Sequence, residues 1–174
     1  MKTNNSIFHI IENFISEKDA KQFIDFFNTN ENLCNDVEEE HKHRNIHYDD
    51  IKNKKIKNLL DYYAIKNSIF IDHLFKTKTT LWQTMRLCRW NEGETMALHL
   101  DRNVKSRTNN MDYSSLLYLN DDYEGGELIF NTEILKMKKF SCIVFESDIH
   151  IHGVRKVLKN KRYTIPSWYQ KINE

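Results

Sequence analysis

The chain has 174 residues, a formal net charge of +1, 40% hydrophobic residues and 29% charged ones. These figures suit one packed domain and exclude a disordered chain or a strongly basic nucleic-acid binder. Only 4 Gly and 1 Pro occur, against roughly a dozen and about nine at average usage, so linker-rich and collagen-like organisations are excluded as well. No apolar run is long enough for a membrane span, the N-terminus is polar, and Cys34, Cys88 and Cys142 form no CxxC pair. A reducing, cytoplasmic setting is therefore expected.

Ile7–Ile11 reads as a short strand. Ser16-Glu17-Lys18-Asp19 is a capping box, followed by Ala20, Phe23, Ile24 and Phe27 at helical spacing. Residues 29–48 are polar and read as a loop, with His41, His43 and the pair His47/Asp49 on its solvated surface. Asp49 and Asp50 are expected to open a second helix, burying Ile51, Ile56, Leu59, Leu60 and Tyr63, and Ser68–Phe75 a third. Near residue 80 the pattern changes. Leu81–Trp90, Ala97–Asp101, Ser114–Asn120, Glu127–Phe130, Ser141–Glu146, Ile151–Val154 and Arg162–Trp168 read as strands between polar turns. Helices followed by about seven short strands predict an α+β protein, a β-sandwich or barrel packed on helices. Residues 1–80 would form mainly helical support, and 81–170 the core of one domain spanning 1–174. Pro166 is expected at a strand end or edge.

His99-Leu100-Asp101 lies in a predicted strand, where alternate side chains share a face. One imidazole and one carboxylate so placed form two legs of a 2-His-1-carboxylate metal site. The third could come from His150 or His152. Cys142, in an apolar run, reads as a core residue, not a nucleophile.

Around that pair stand Arg89-Trp90-Asn91-Glu92-Gly93, Leu116–Asp122, Gly125-Gly126-Glu127-Leu128, Phe145, His152-Gly153-Val154, Val157, Arg162-Tyr163 and Trp168. In this order and spacing, over about residues 82–170, the set resembles the prolyl 4-hydroxylase-like branch of the Fe(II)/2-oxoglutarate dioxygenases. The resemblance implies a double-stranded β-helix (jelly-roll, cupin-like) core flanked by N-terminal helices. It implies Fe(II) on His99, Asp101 and His152, because the family's basic residue about ten positions past the distal histidine is Arg162 if that histidine is His152, and Asn160 if it is His150. Arg162 and Tyr118, with a hydroxyl from Thr164, would hold the far carboxylate of 2-oxoglutarate, and a planar guanidinium suits that task.

The implied reaction consumes O2 and 2-oxoglutarate and yields succinate, CO2 and a hydroxylated product, with ascorbate as an accessory reductant. The implied substrate is peptidyl proline in a peptide or protein. A free amino acid or other small molecule is the alternative within enzymes, and a silent metal-binding cupin-like module the alternative outside them. Neither a membrane nor a nucleic acid is expected as partner, and oligomeric state is left open. The loop Arg102–Asp112, with Arg102, Lys105 and Arg107, would flank the site and favour an acidic or extended partner. Two positions depart from the family pattern. Trp90 stands where relatives often have Tyr, and Asn160 where they commonly have Gly.

Overall fold

In the computed structural model, residues 8–36, 43–102, 110–130 and 133–172 are described. In chain order the elements are β1 (Phe8–Ile11), α1 (Glu17–Thr29), β2 (Asn35–Asp36), β3 (Arg44–His47), α2 (Lys54–Phe75), β4 (Thr79–Leu81), β5 (Arg86–Trp90), β6 (Met96–His99), β7 (Tyr113–Tyr118), β8 (Glu124–Gly125), β9 (Leu128–Phe130), β10 (Glu133–Leu135), β11 (Cys142–Glu146), β12 (His152–Val154), β13 (Val157–Lys159) and β14 (Arg162–Lys171).

The first helix forms as its sequence predicts. Ser16 Oγ accepts the Asp19 N–H at 3.1 Å, and Ala20, Phe23, Phe26 and Phe27 are buried. The next two predicted helices are one. α2 runs unbroken because nothing between Tyr63 and Ser68 interrupts it. Asn67, the one turn-favouring residue there, faces the core and donates to Ser115 and Ser167. The helix starts at Asn53, whose side chain caps the N–H groups of Lys55 and Ile56 at 3.0 and 3.3 Å. Asp49 and Asp50 belong instead to a short 3-10 turn, and Ile51 is buried just after it.

The segment read as a loop contains strands. β3 joins the main sheet beside β5, with Ile46 opposite Leu87, and both are fully buried. One apolar residue between Asn45 and His47 gives too weak an alternation to announce a strand.

The main sheet has the order β1-β11-β7-β14-β5-β3-β2, with β4 also on β14, and a smaller sheet has the order β10-β9-β12-β6. All the pairings are antiparallel. Period-two alternation splits the main sheet's side chains between two cores. Leu87, Leu117, Val144 and Ile165 pack with Phe23, Phe27 and Leu60 of the helices. On the other face Trp90, Tyr118, Ile143 and Phe145 pack with Leu128, Phe130 and Val154 of the smaller sheet. Each fully buried side chain of this size contributes about 1.5–3 kcal/mol. Among the described residues no helix is long and apolar enough to cross a membrane.

Pro166 sits inside a central strand, contrary to the expectation from sequence. β14 pairs with β7 through Pro166, opposite Leu116. On its other side, pairing with β5 stops at Thr164 and pairing with β4 starts at Tyr169. The missing N–H therefore falls at a gap in the ladder.

Gly125 makes the tightest turn. Its φ is +71°, and a Cβ there would lie 2.2 Å from the Lys156 carbonyl oxygen. Gly125→Ala is expected to destabilise the fold by about 2 kcal/mol or more, read as a lower midpoint in urea denaturation. Asn160 takes a positive φ of 62° at the turn into β14, a conformation Asn tolerates better than most residues.

Candidate active site

β6 and β12 are neighbours, and His99 is paired directly with His152 in their register. The strand ends at His99, and Asp101 lies just beyond it, so the shared face comes from the chain leaving the sheet edge, not from continued alternation. Asp101 Oδ1 is 3.4 Å from His99 Nε2, and Oδ2 is 3.6 Å from His152 Nε2. One ligand atom from each of the three residues lies within 4.8 Å of the others, and this is the one such cluster among the described residues.

Backbone carbonyls orient both imidazoles. His99 Nδ1 is 3.0 Å from the Ala97 carbonyl oxygen, and His152 Nδ1 is 3.1 Å from that of His150. A carbonyl only accepts, so each Nδ1 donates its proton there, which leaves each Nε2 as the ring atom that faces Asp101. Ser114 Oγ donates to Asp101 Oδ2 at 2.5 Å and shares a hydrogen bond with Ser147. Burial raises the Asp101 carboxyl, but the hydrogen bond from His99, the charge of His152 and Ser114 outweigh it and lower it strongly. Burial lowers His152 despite Asp101. For His99, Asp101 overcomes burial and raises it. An anionic carboxylate and two Nε2 atoms converging on one point suit a divalent cation.

Gly153 permits this pairing. A Cβ there would come within 2.8 Å of the Met96 carbonyl oxygen, prising β12 from β6 and His152 from His99.

The triad opens into a cleft of about 460 Å³ between the two sheets. Arg162 lies on the main-sheet side, fully buried. Its Nη2 donates to Tyr118 Oη at 3.0 Å, while its Nε and Nη1 have no acceptor. Its guanidinium lies 4.9 Å from the Tyr118 ring centre and 5.3 Å from that of Trp90. Burial opposes the Arg162 charge, but Tyr118 and Tyr123 outweigh it and raise its pKa. Thr164, two residues along, is buried and lines the same cleft. A fully buried cation with two unanswered N–H groups fits a carboxylate.

The structure thus brings together His99, Asp101 and His152, and separately Arg162, Tyr118 and Thr164. His150 lies outside both groups, beside Phe130 at 6.5 Å between ring centres. Sequence reasoning missed Tyr123, hidden in a turn-like run, which is buried and contributes to the charge balance of Arg162. It also misplaced His43. That residue is buried and stacked on Trp90, with ring centres 4.2 Å apart, and lines the cleft. His47 ends β3 and is half-buried, and His41 lies outside the described residues.

Arg102, expected to face a partner, is instead paired with Asp112 at 3.1 Å and Asp148 at 3.0 Å. Lys105 and Arg107 lie outside the described residues. Burial pushes the thiols of Cys88 and Cys142 up to about 12, so neither is a nucleophile at neutral pH.

The antiparallel α/β scaffold thus presents a His/Asp/His cluster of the 2-His-1-carboxylate type in the same cleft as a buried arginine, a candidate metal centre. Residues 85–170, just under half of the chain, match the 2OG-Fe(II) oxygenase superfamily. It is 44% identical over 66 residues to human prolyl 3-hydroxylase 2, covering 33% of this chain and 9% of that protein. A PKHD-type hydroxylase of Shewanella baltica is 29% identical over 93 residues, covering 48% of this chain and 41% of that one. The chain therefore spans less than half the length of these curated relatives. Among solved structures, a Pseudomonas putida prolyl-4-hydroxylase superposes with a TM-score of 0.78 at 16% identity, covering 97% of this chain and 95% of that one.

Proposed function

We propose that residues 1–174 form a single oxygenase domain with a double-stranded β-helix core, acting on peptidyl proline in the cytoplasm. In this reading His99, Asp101 and His152 hold Fe(II), while Arg162, Tyr118 and Thr164 hold the far carboxylate of 2-oxoglutarate. The observation that carries it is the convergence of three ligand atoms within 4.8 Å in the same cleft as a buried arginine with two unanswered N–H groups.

When bound, the iron and 2-oxoglutarate supply the oxidising chemistry that hydroxylates substrate and releases succinate and CO2. The protein's part is to position and to exclude water. The carbonyls of Ala97 and His150 keep the two Nε2 atoms turned inward. Ser114 steadies Asp101 in its anionic form. Phe130 and Phe145 pack against the ring of His152, with centres 5.9 and 4.7 Å away, and keep that flank dry. Arg162 fixes the cosubstrate's depth in the cleft by a charge-assisted pair. The names of the relatives and of the P. putida structure support proline as the hydroxylated residue.

The test is succinate formation by the purified chain with Fe(II) and 2-oxoglutarate, offered proline-containing peptides and metabolites in parallel. Mass spectrometry should find a peptide heavier by one oxygen. Absence of both succinate and oxygenated product would overturn the reading.

A further inference from the structure

The cleft holds a second arginine. Along β5 the side chains of Arg86, Cys88 and Trp90 share the cleft face, and Arg86 lines the same cavity as the triad. The register fixes its place. Arg162 lies opposite Trp90 at one end, and Cys88 opposite Thr164. Arg86 lies two residues further on, toward Trp168. Trp168 in turn is opposite Ser114, whose hydroxyl holds Asp101. Arg162 is thus at one end of the cleft, and the triad, Trp168 and Arg86 at the other.

Arg86 differs from the other arginines nearby. Arg89, on the opposite face of the same strand, forks onto Glu31 at 2.5 and 3.2 Å. Arg102 is held by Asp112 and Asp148. Among the described residues Arg86 has no carboxylate partner, and its Nε is buried without an acceptor. Its guanidinium is stacked 4.6 Å from the Trp168 ring centre. The ring attracts the positive charge but accepts none of the in-plane N–H groups. Arg86 is partly buried, and its Nε is out of water with no acceptor, so a carboxylate from the ligand would answer that N–H with a charge-assisted hydrogen bond.

We propose that Arg86, held flat by Trp168, is a specificity residue that binds a carboxylate carried by the substrate next to the hydroxylated centre. This rests on the oxygenase reading above and narrows its substrate class. The carboxylate could be an acidic side chain or chain terminus of a peptide, or the α-carboxylate of a free amino acid.

The experiment uses the full chain and matched probes: proline peptides carrying Glu or Gln beside the proline, the same peptides with free or amidated C-termini, and L-proline against L-prolinamide. Succinate formation and product mass give kcat/KM for each. In at least one pair the carboxylate-bearing member is expected to win by about tenfold or more, and the pair that discriminates identifies the carboxylate's source. Arg86→Gln should erase that preference mainly through KM, as loss of binding common to ground and transition states, and Arg86→Lys should restore part of it.

Equal kcat/KM within every pair, or a preference that survives in Arg86→Gln, overturns the proposal. Anaerobic titration of 2-oxoglutarate into the Fe(II)-loaded wild type, followed by the metal-to-ligand absorbance band, separates this from failure of the oxygenase reading. A band without discrimination sinks only the role of Arg86. No band and no succinate sink both.

Discussion

His99→Ala and Asp101→Ala should each reduce succinate formation by more than about a hundredfold, since loss of a ligand exceeds the 10–100-fold typical of losing a group that merely supports one. Fe(II) retained after gel filtration should fall with it. The folded state should survive both changes, because His99 and Asp101 sit at the cleft end of the smaller sheet, where both remain partly exposed. Neither belongs to the two hydrophobic clusters. A melting temperature close to wild type would separate lost chemistry from lost structure. Full turnover in either variant would remove the triad from the mechanism.

Arg162→Ala should raise the KM for 2-oxoglutarate about ten- to a hundredfold, the range for removing a charge-assisted bidentate contact. It should also lower thermal stability. Arg162 fills space against Tyr118 and Trp90, and truncation leaves a cavity between the sheets. Arg162→Lys keeps the charge but loses the planar fork, and should fall between the two in KM. An unchanged KM in Arg162→Ala would mean that the far carboxylate is held elsewhere.

Much of this site was legible before any fold was known, for identifiable reasons. His99 and Asp101 are two apart, close enough for local chain geometry to bring them together. The family resemblance, through its basic residue ten positions on, favoured His152 over His150, and in the structure it is His152 that pairs with His99 and joins the cluster with Asp101. The four glycines also mark places where the backbone has no alternative, as the close approaches at Gly125 and Gly153 make plain.

Other features were not legible, because they depend on partners distant in sequence. β3 owes its existence to β5, some 40 residues on, which completes its hydrogen bonds and buries Ile46. His43 looked solvated among acidic neighbours, yet Trp90 offers it a ring to stack on. Pro166 looked unfit for a central strand, but the sheet leaves a gap beside it. The loop arginine Arg102 looked available, and two aspartates from separate segments hold it.

The sequence by itself determined the local elements and the nearest pairing at the candidate site: the capped first helix, many of the alternating strands, and a histidine and an aspartate two residues apart. Those follow from propensity and short-range spacing, which are properties of neighbouring residues. Only the tertiary structure decided which charges are already satisfied. Arg86, Arg89 and Arg102 are chemically the same in the sequence. Burial and the arrival of Glu31, Asp112 and Asp148 from elsewhere in the chain pair two of them, and leave Arg86 facing the cleft, stacked on Trp168 and with no carboxylate partner among the described residues.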